Sequence, residues 1–142
     1  MNTISDNAKT QAGLRTFAVL MIGFLIVQYV LGMVTNLWVE FPQTDQVNQL
    51  WDAARSQLPS AAHIVLGVLL LVGAIIFVIR AAAKHQRDWV VSSAVGLVGI
   101  LVAAVGGATY VSSQSDTWSM VMALGFIASL VAYGWGVYAA MR

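Results

Sequence analysis

Four stretches of the chain, residues 16–39, 59–79, 89–111 and 117–141, contain no Asp, Glu, Lys or Arg. Each has about the ~20 apolar residues that an α-helix needs to cross a ~30 Å hydrocarbon core. Charged residues make up only 9% of the sequence and the mean hydropathy is +0.79. Soluble domains carry about a quarter charged residues, so this chain has too little charge to cover a globule in water. Its solvent is a lipid bilayer. The links at 80–88 and 112–116 are short, which makes successive spans antiparallel neighbours. The expected fold is all-α: a polytopic, four-transmembrane-helix up-down-up-down bundle formed by one membrane domain over residues 1–142. A transmembrane barrel would instead show alternating segments of about ten residues. The first run is too long for the apolar core of a signal peptide, and no A-x-A site follows it, so it reads as an uncleaved span.

Orientation follows from the basic residues. Lys9, Arg15, Arg80, Lys84, Arg87 and Arg142 fall on one side of the membrane, and Arg55 alone on the other with Glu40, Asp45, Asp52 and Asp116. The positive-inside rule then puts both termini in the cytoplasm of a multi-pass inner-membrane protein. Trp38, Phe41, Trp51, Tyr110 and Trp118 mark the outer boundary and Trp89 the inner one. No Lys/Arg cluster suggests nucleic acid. The absence of cysteine removes disulfides, thiolate metal sites and thiol nucleophiles.

The outer loop, residues 40–58, is the longest connection. Thr44-Asp45 suits the start of a short amphipathic helix in which Val47, Leu50, Trp51 and Ala54 share a face. That helix either lies on the outer surface or caps the bundle with its apolar stripe. Ser115 or Asp116 suits the N-cap of the fourth span. In span three, Gly99, Ala103 and Gly107 recur every four residues. Gly125 with Ser129, and Gly136 with Ala140, do the same in span four. Small residues at this spacing let helices approach closely in lipid. Packing within the bundle is the expected use, and a homo-oligomer contact is the alternative. In span one, Gln28, Gly32 and Asn36 share a face, and Gln28 is placed to hydrogen-bond across helices.

His63 is the one ionisable side chain in any of the four runs apart from tyrosine phenols. Such a residue is costly in lipid and is by default a functional candidate. It lies about one turn inside span two, and Gly67, one turn deeper on the same face, leaves room for a flat ligand. Spans two and four both start outside and are diagonal partners in a sequentially connected square. Met120 and Met122 therefore share the depth of His63. Histidine with methionine is an axial pair for haem iron. This reading makes His63, Gly67, Met120 and Met122 cofactor-binding, with His63 and Met122 as iron ligands of a b-type haem. The competing readings are a histidine bonded to a carbonyl or headgroup, and methionine as core filler. His85, in the cytoplasmic link, reads as solvated.

Four spans with cytoplasmic ends, and Ala61-Ala62-His63-Ile64-Val65-Leu66-Gly67 at the start of span two after a long outer loop, resemble one half of the haem A synthase family. The resemblance implies a haem-associated fold with His63 at the first ligand position. Span four departs from the family pattern, because Ser119-Met120-Val121-Met122 holds no histidine. Leu58-Pro59-Ser60-Ala61-Ala62 also lacks the acidic residue that the family places before this histidine. The resemblance therefore does not extend to haem A synthesis. Charge-free spans argue against an ion-coupled transporter, and no H-E-x-x-H, P-loop or Ser–His arrangement indicates an enzyme. Two functions remain: a haem-binding protein for electron transfer or haem handling, and a non-catalytic accessory or scaffold subunit of a larger membrane complex.

Overall fold

The computed structural model describes residues 2–142, with side chains from Ala8 onward. Its elements are α1 (Asn2–Trp38), α2 (Val47–Ser56), α3 (Leu58–Ala83), α4 (Arg87–Ser113) and α5 (Asp116–Ala139), and no strand occurs among the described residues. All but α2 are long and apolar enough to cross a membrane. The fold is an all-α bundle and the protein a multi-pass membrane protein. The start of α1 and the end of α5 lie at one end of the bundle, the terminal end, and α2 lies at the other, the loop end.

Local chemistry sets the boundaries. α1 contains no proline, and its 37 residues extend to about 55 Å at ~1.5 Å per residue. It therefore continues well beyond the apolar run into the polar N-terminal segment. It stops short of Pro42, whose ring disfavours helical backbone at the preceding residue. The N-cap of α2 is Gln46 and not Thr44 or Asp45. The Thr44 hydroxyl accepts the Gln46 N–H at 3.2 Å, and this tight turn moves the first helical residue to Val47. Gln57, extended at φ −92°, serves at once as the C-cap of α2 and the N-cap of α3. Pro59 sits in the first turn of α3, where its missing N–H costs nothing. Ser115 occupies the N-cap of α5 without a side-chain bond.

The α3–α4 link is a Schellman turn. His85 is left-handed (φ 53°), its N–H reaches Ala82 O at 3.0 Å, and the Gln86 N–H reaches Ala81 O at 3.3 Å. Gln114, at the end of α4, is the other non-glycine residue with positive φ among the described residues.

α1 and α4 each pack against both α3 and α5. The four long helices thus form a square in sequence order, with α3 and α5 on one diagonal. The closest pair is α4 with α5. Ser92, Gly96, Gly99, Ala103 and Gly106 face Gly125, Ser129, Ala132 and Gly136 in steps of four and three. A Cβ on Gly99 would stand 2.7 Å from Gly125 O, and one on Gly125 would stand 2.6 Å from Gly99 O. Ser129 Oγ donates to Gly96 O at 3.0 Å and Ser92 Oγ to Ala132 O at 2.7 Å across this seam. The contact position after Ala103 is Gly106, not Gly107 as a strict four-residue spacing suggests. A shallow left-handed crossing repeats every 3.5 residues, so Gly107 turns aside toward the Met122 sulfur.

Large buried side chains gather near the terminal end. Leu14, Ala18, Met21 and Leu25 of α1 and Leu70, Ala74, Phe77 and Ala81 of α3 meet Trp89 and Tyr133. Phe77 is the hub, with ring centroids 5.1 Å from Phe17, 5.8 Å from Trp89 and 5.7 Å from Tyr133. At the loop end α2 closes the bundle from above: Leu50 and Ala54 are buried, and Trp51 Nε1 donates to Ser112 Oγ at 3.1 Å. Of the two placements open for α2, the cap on the bundle is the one observed.

Candidate functional site

His63 stands one turn into α3 and leans against α1. Its partner is Gln28, and the contact is reciprocal. Gln28 Nε2 donates to the His63 backbone carbonyl at 3.0 Å, and His63 Nδ1 lies 3.2 Å from the Gln28 backbone carbonyl. A carbonyl only accepts, so the proton is on Nδ1. The bare Nε2 then faces the second hydrogen of the Gln28 amide at 3.4 Å.

Glycines make room for both side chains. A Cβ on Gly32 would lie 3.1 Å from His63 Cε1, and one on Gly67 would lie 3.2 Å from Gln28 Nε2. Each polar side chain therefore occupies the notch left by a glycine one turn along the other helix. The sequence carries this arrangement as two matching pentads, Gln28-Tyr29-Val30-Leu31-Gly32 and His63-Ile64-Val65-Leu66-Gly67. Running antiparallel, they set Gln28 on Gly67 and His63 on Gly32. The space at Gly67, read from sequence as room for a flat ligand, holds the Gln28 amide.

The methionines stand elsewhere. Met120 is 64% exposed on the outside of α5. Met122 is half-buried and turns toward α4, its sulfur 3.2 Å from where a Gly107 Cβ would be. Neither converges on the His63 ring. With Nε2 facing the Gln28 amide and no thioether opposite, these side chains as arranged do not fit a haem held by His63 and a methionine. No group of three or more His, Cys, Asp or Glu side chains able to hold a metal ion occurs among the described residues. Asn36, on the same stripe as Gln28, is exposed, and His85 is exposed at its turn.

Two polar atoms near the clasp are buried without a partner, Gln28 Oε1 and Thr35 Oγ1. The amide cannot turn over to relieve Oε1 without setting that oxygen against the His63 carbonyl. Compared with protein-family models, curated proteins and solved structures, the chain matches none.

Proposed function

We propose that the protein is a non-catalytic accessory or scaffold component of a larger membrane complex, in which His63 ties α1 to α3. The observation that carries this reading is the reciprocal clasp. Both nitrogens of the one imidazole within the membrane face Gln28, and each side chain sits in a glycine notch of the opposite helix. Interhelical hydrogen bonds of this kind are worth about 1 kcal/mol in lipid, which is a sufficient reason to keep a histidine at that depth. Haem binding, the other reading, requires Gln28 to leave Nε2. The unpartnered Gln28 Oε1 is what favours it.

An absorption spectrum of protein purified from haem-replete cells separates the two. The scaffold reading expects no Soret band, together with migration in a native gel of mildly solubilised membranes above the mass of the chain in its micelle. A Soret band that His63→Ala removes would put haem binding first. Migration only as an isolated chain would remove the complex. The basic residues of the terminal end further support a cytoplasmic location for both termini. Single cysteines at Gln43 and Lys84, treated with an impermeant maleimide on intact cells, test this: label at Gln43 alone is expected, and label at Lys84 alone reverses the orientation.

A further inference from the structure

Beyond that reading, a cavity of about 340 Å³ opens at the terminal end, lined by Gln11, Arg87, Asp88, Trp89 and Arg142 among others. Its floor is fixed by bonds. Trp89 Nε1 donates to Gln11 Oε1 at 2.7 Å, and Gln11 Nε2 donates to Gln86 Oε1 at 2.6 Å. Trp89 is 2% exposed, so the floor does not collapse into the opening. At the mouth, Arg142 lies over the Tyr138 ring at 4.6 Å and bonds the Tyr138 hydroxyl. Arg87 has no ion-pair partner among the described residues, nor has Asp88; the one salt bridge among them joins Arg55 to Asp52 at the opposite end. The charged side chains that line the cavity are thus two guanidiniums, Arg87 and Arg142, and one carboxylate, Asp88. The cavity opens beside the exposed Tyr138, just outside the uncharged runs 89–111 and 117–141, so it lies where lipid phosphates lie.

We propose that this cavity binds the headgroup of an anionic glycerophospholipid, with Arg87 and Arg142 holding its phosphodiester. Guanidinium suits the task because its planar fork matches two phosphate oxygens at once. An anionic headgroup brings no cation of its own to the two guanidiniums, whereas a zwitterionic choline headgroup adds a quaternary ammonium beside them.

The test is native mass spectrometry of the full chain, delipidated in detergent and titrated with phosphatidylglycerol, phosphatidylcholine or inorganic phosphate. One phosphatidylglycerol per chain should be retained, and phosphatidylcholine should not. Arg87→Gln and Arg142→Gln should each weaken retention about fivefold, the effect of one basic residue at a membrane surface. Arg80→Gln is the control, since its guanidinium lies over Phe17, 5.8 Å from the ring centroid and outside the cavity. All three side chains are exposed, and unchanged circular dichroism and melting confirm that each variant is folded. Equal retention of the two lipids overturns the proposal, as does an equal loss in Arg80→Gln. Displacement of the lipid by millimolar inorganic phosphate overturns the lipid assignment in favour of a free anion.

Discussion

The two halves of the bundle are held together by different means. Toward the terminal end, bulky side chains interlock: Phe77, Trp89 and Tyr133 are almost completely buried, with Leu14, Met21, Leu25 and Leu70 around them. Toward the loop end, α1 beyond Leu25 has no fully buried residue, and α3 before Leu70 has only Ser60. Union there depends on the Gln28–His63 clasp, on the glycine contacts at Gly106 and Gly125, and on the α2 cap. The contrast follows from the solvent. Lipid tails are as apolar as leucine, so apolar helices gain nothing merely by leaving lipid. Association must come from dense packing or from polar bonds that lipid cannot offer. One half relies mainly on the first device, and the α1–α3 interface in the other half relies on the second.

The sharpest way to break this comparison is to remove packing at each end. Phe77→Ala should cost about 3 kcal/mol, the low end of the range for a buried aromatic, because the cavity forfeits contacts while transfer from water contributes little. Met122→Ala, at a half-buried position of the loop half, should cost under about 1 kcal/mol. Gly99→Leu belongs with the large effects. Its side chain meets the Gly125 carbonyl, which cannot move aside, so a loss of at least ~3 kcal/mol is expected. Gly107→Leu meets a flexible methionine sulfur and should lose much less. Unfolding midpoints in detergent measure all four. Equal losses for Phe77→Ala and Met122→Ala would show that the two halves are packed alike.

The same contrast explains how much was legible in the sequence. Four uncharged runs were enough for the helices, and short links were enough for the antiparallel order that the helix contacts display. Of the small-residue seam, Gly99, Ala103, Gly125, Ser129 and Gly136 were legible. Gly106 stands where Gly107 was expected and Ala140 is exposed past the end of α5, because a fixed spacing of four ignores the crossing of the helices. Gln28 was legible as a residue that bonds across helices, but its partner was not. Gln28 lies ten residues before the end of α1 and His63 five after the start of α3. Their meeting depends on how far α1 slides along its axis, and run lengths do not set that offset. The signal that does is the pair of pentads ending in Gly32 and Gly67, since a glycine one turn beyond a polar residue supplies the notch for its counterpart. Met120 and Met122 were placed by depth alone. Depth says nothing of which way a side chain turns, and Met122 turns toward Gly107 of α4.

A medium effect is expected at the clasp. Gln28→Leu and His63→Leu should each lower stability by about 1 kcal/mol. The two share one set of bonds, so the double variant should cost little more than either alone, with a coupling of about 1 kcal/mol. Additive losses would mean that the two side chains do not bond to each other. The loop half would then be held by α2 and the glycine contacts alone, and His63 Nε2 would be open to another partner.

The smallest expected effect probes whether the halves unfold together. His85 and Gln114 are left-handed, one at each end of α4, and a side chain in that region carries a steric cost that glycine lacks. Glycine also has more freedom to lose on folding, so His85→Gly and Gln114→Gly should each gain only about 0.5 kcal/mol. If the bundle unfolds as one unit, both variants raise the global midpoint equally. If the loop half opens first, Gln114→Gly instead slows amide hydrogen exchange near Ser112 and Ser113 while the midpoint stays fixed, and His85→Gly still raises it. The second outcome is expected here, because Gln114 adjoins the half with few large buried side chains whereas His85 adjoins the Phe77 hub through Ala81. Equal shifts in the midpoint would show that the clasp and the α2 cap bind the loop half as firmly as aromatic packing binds the other.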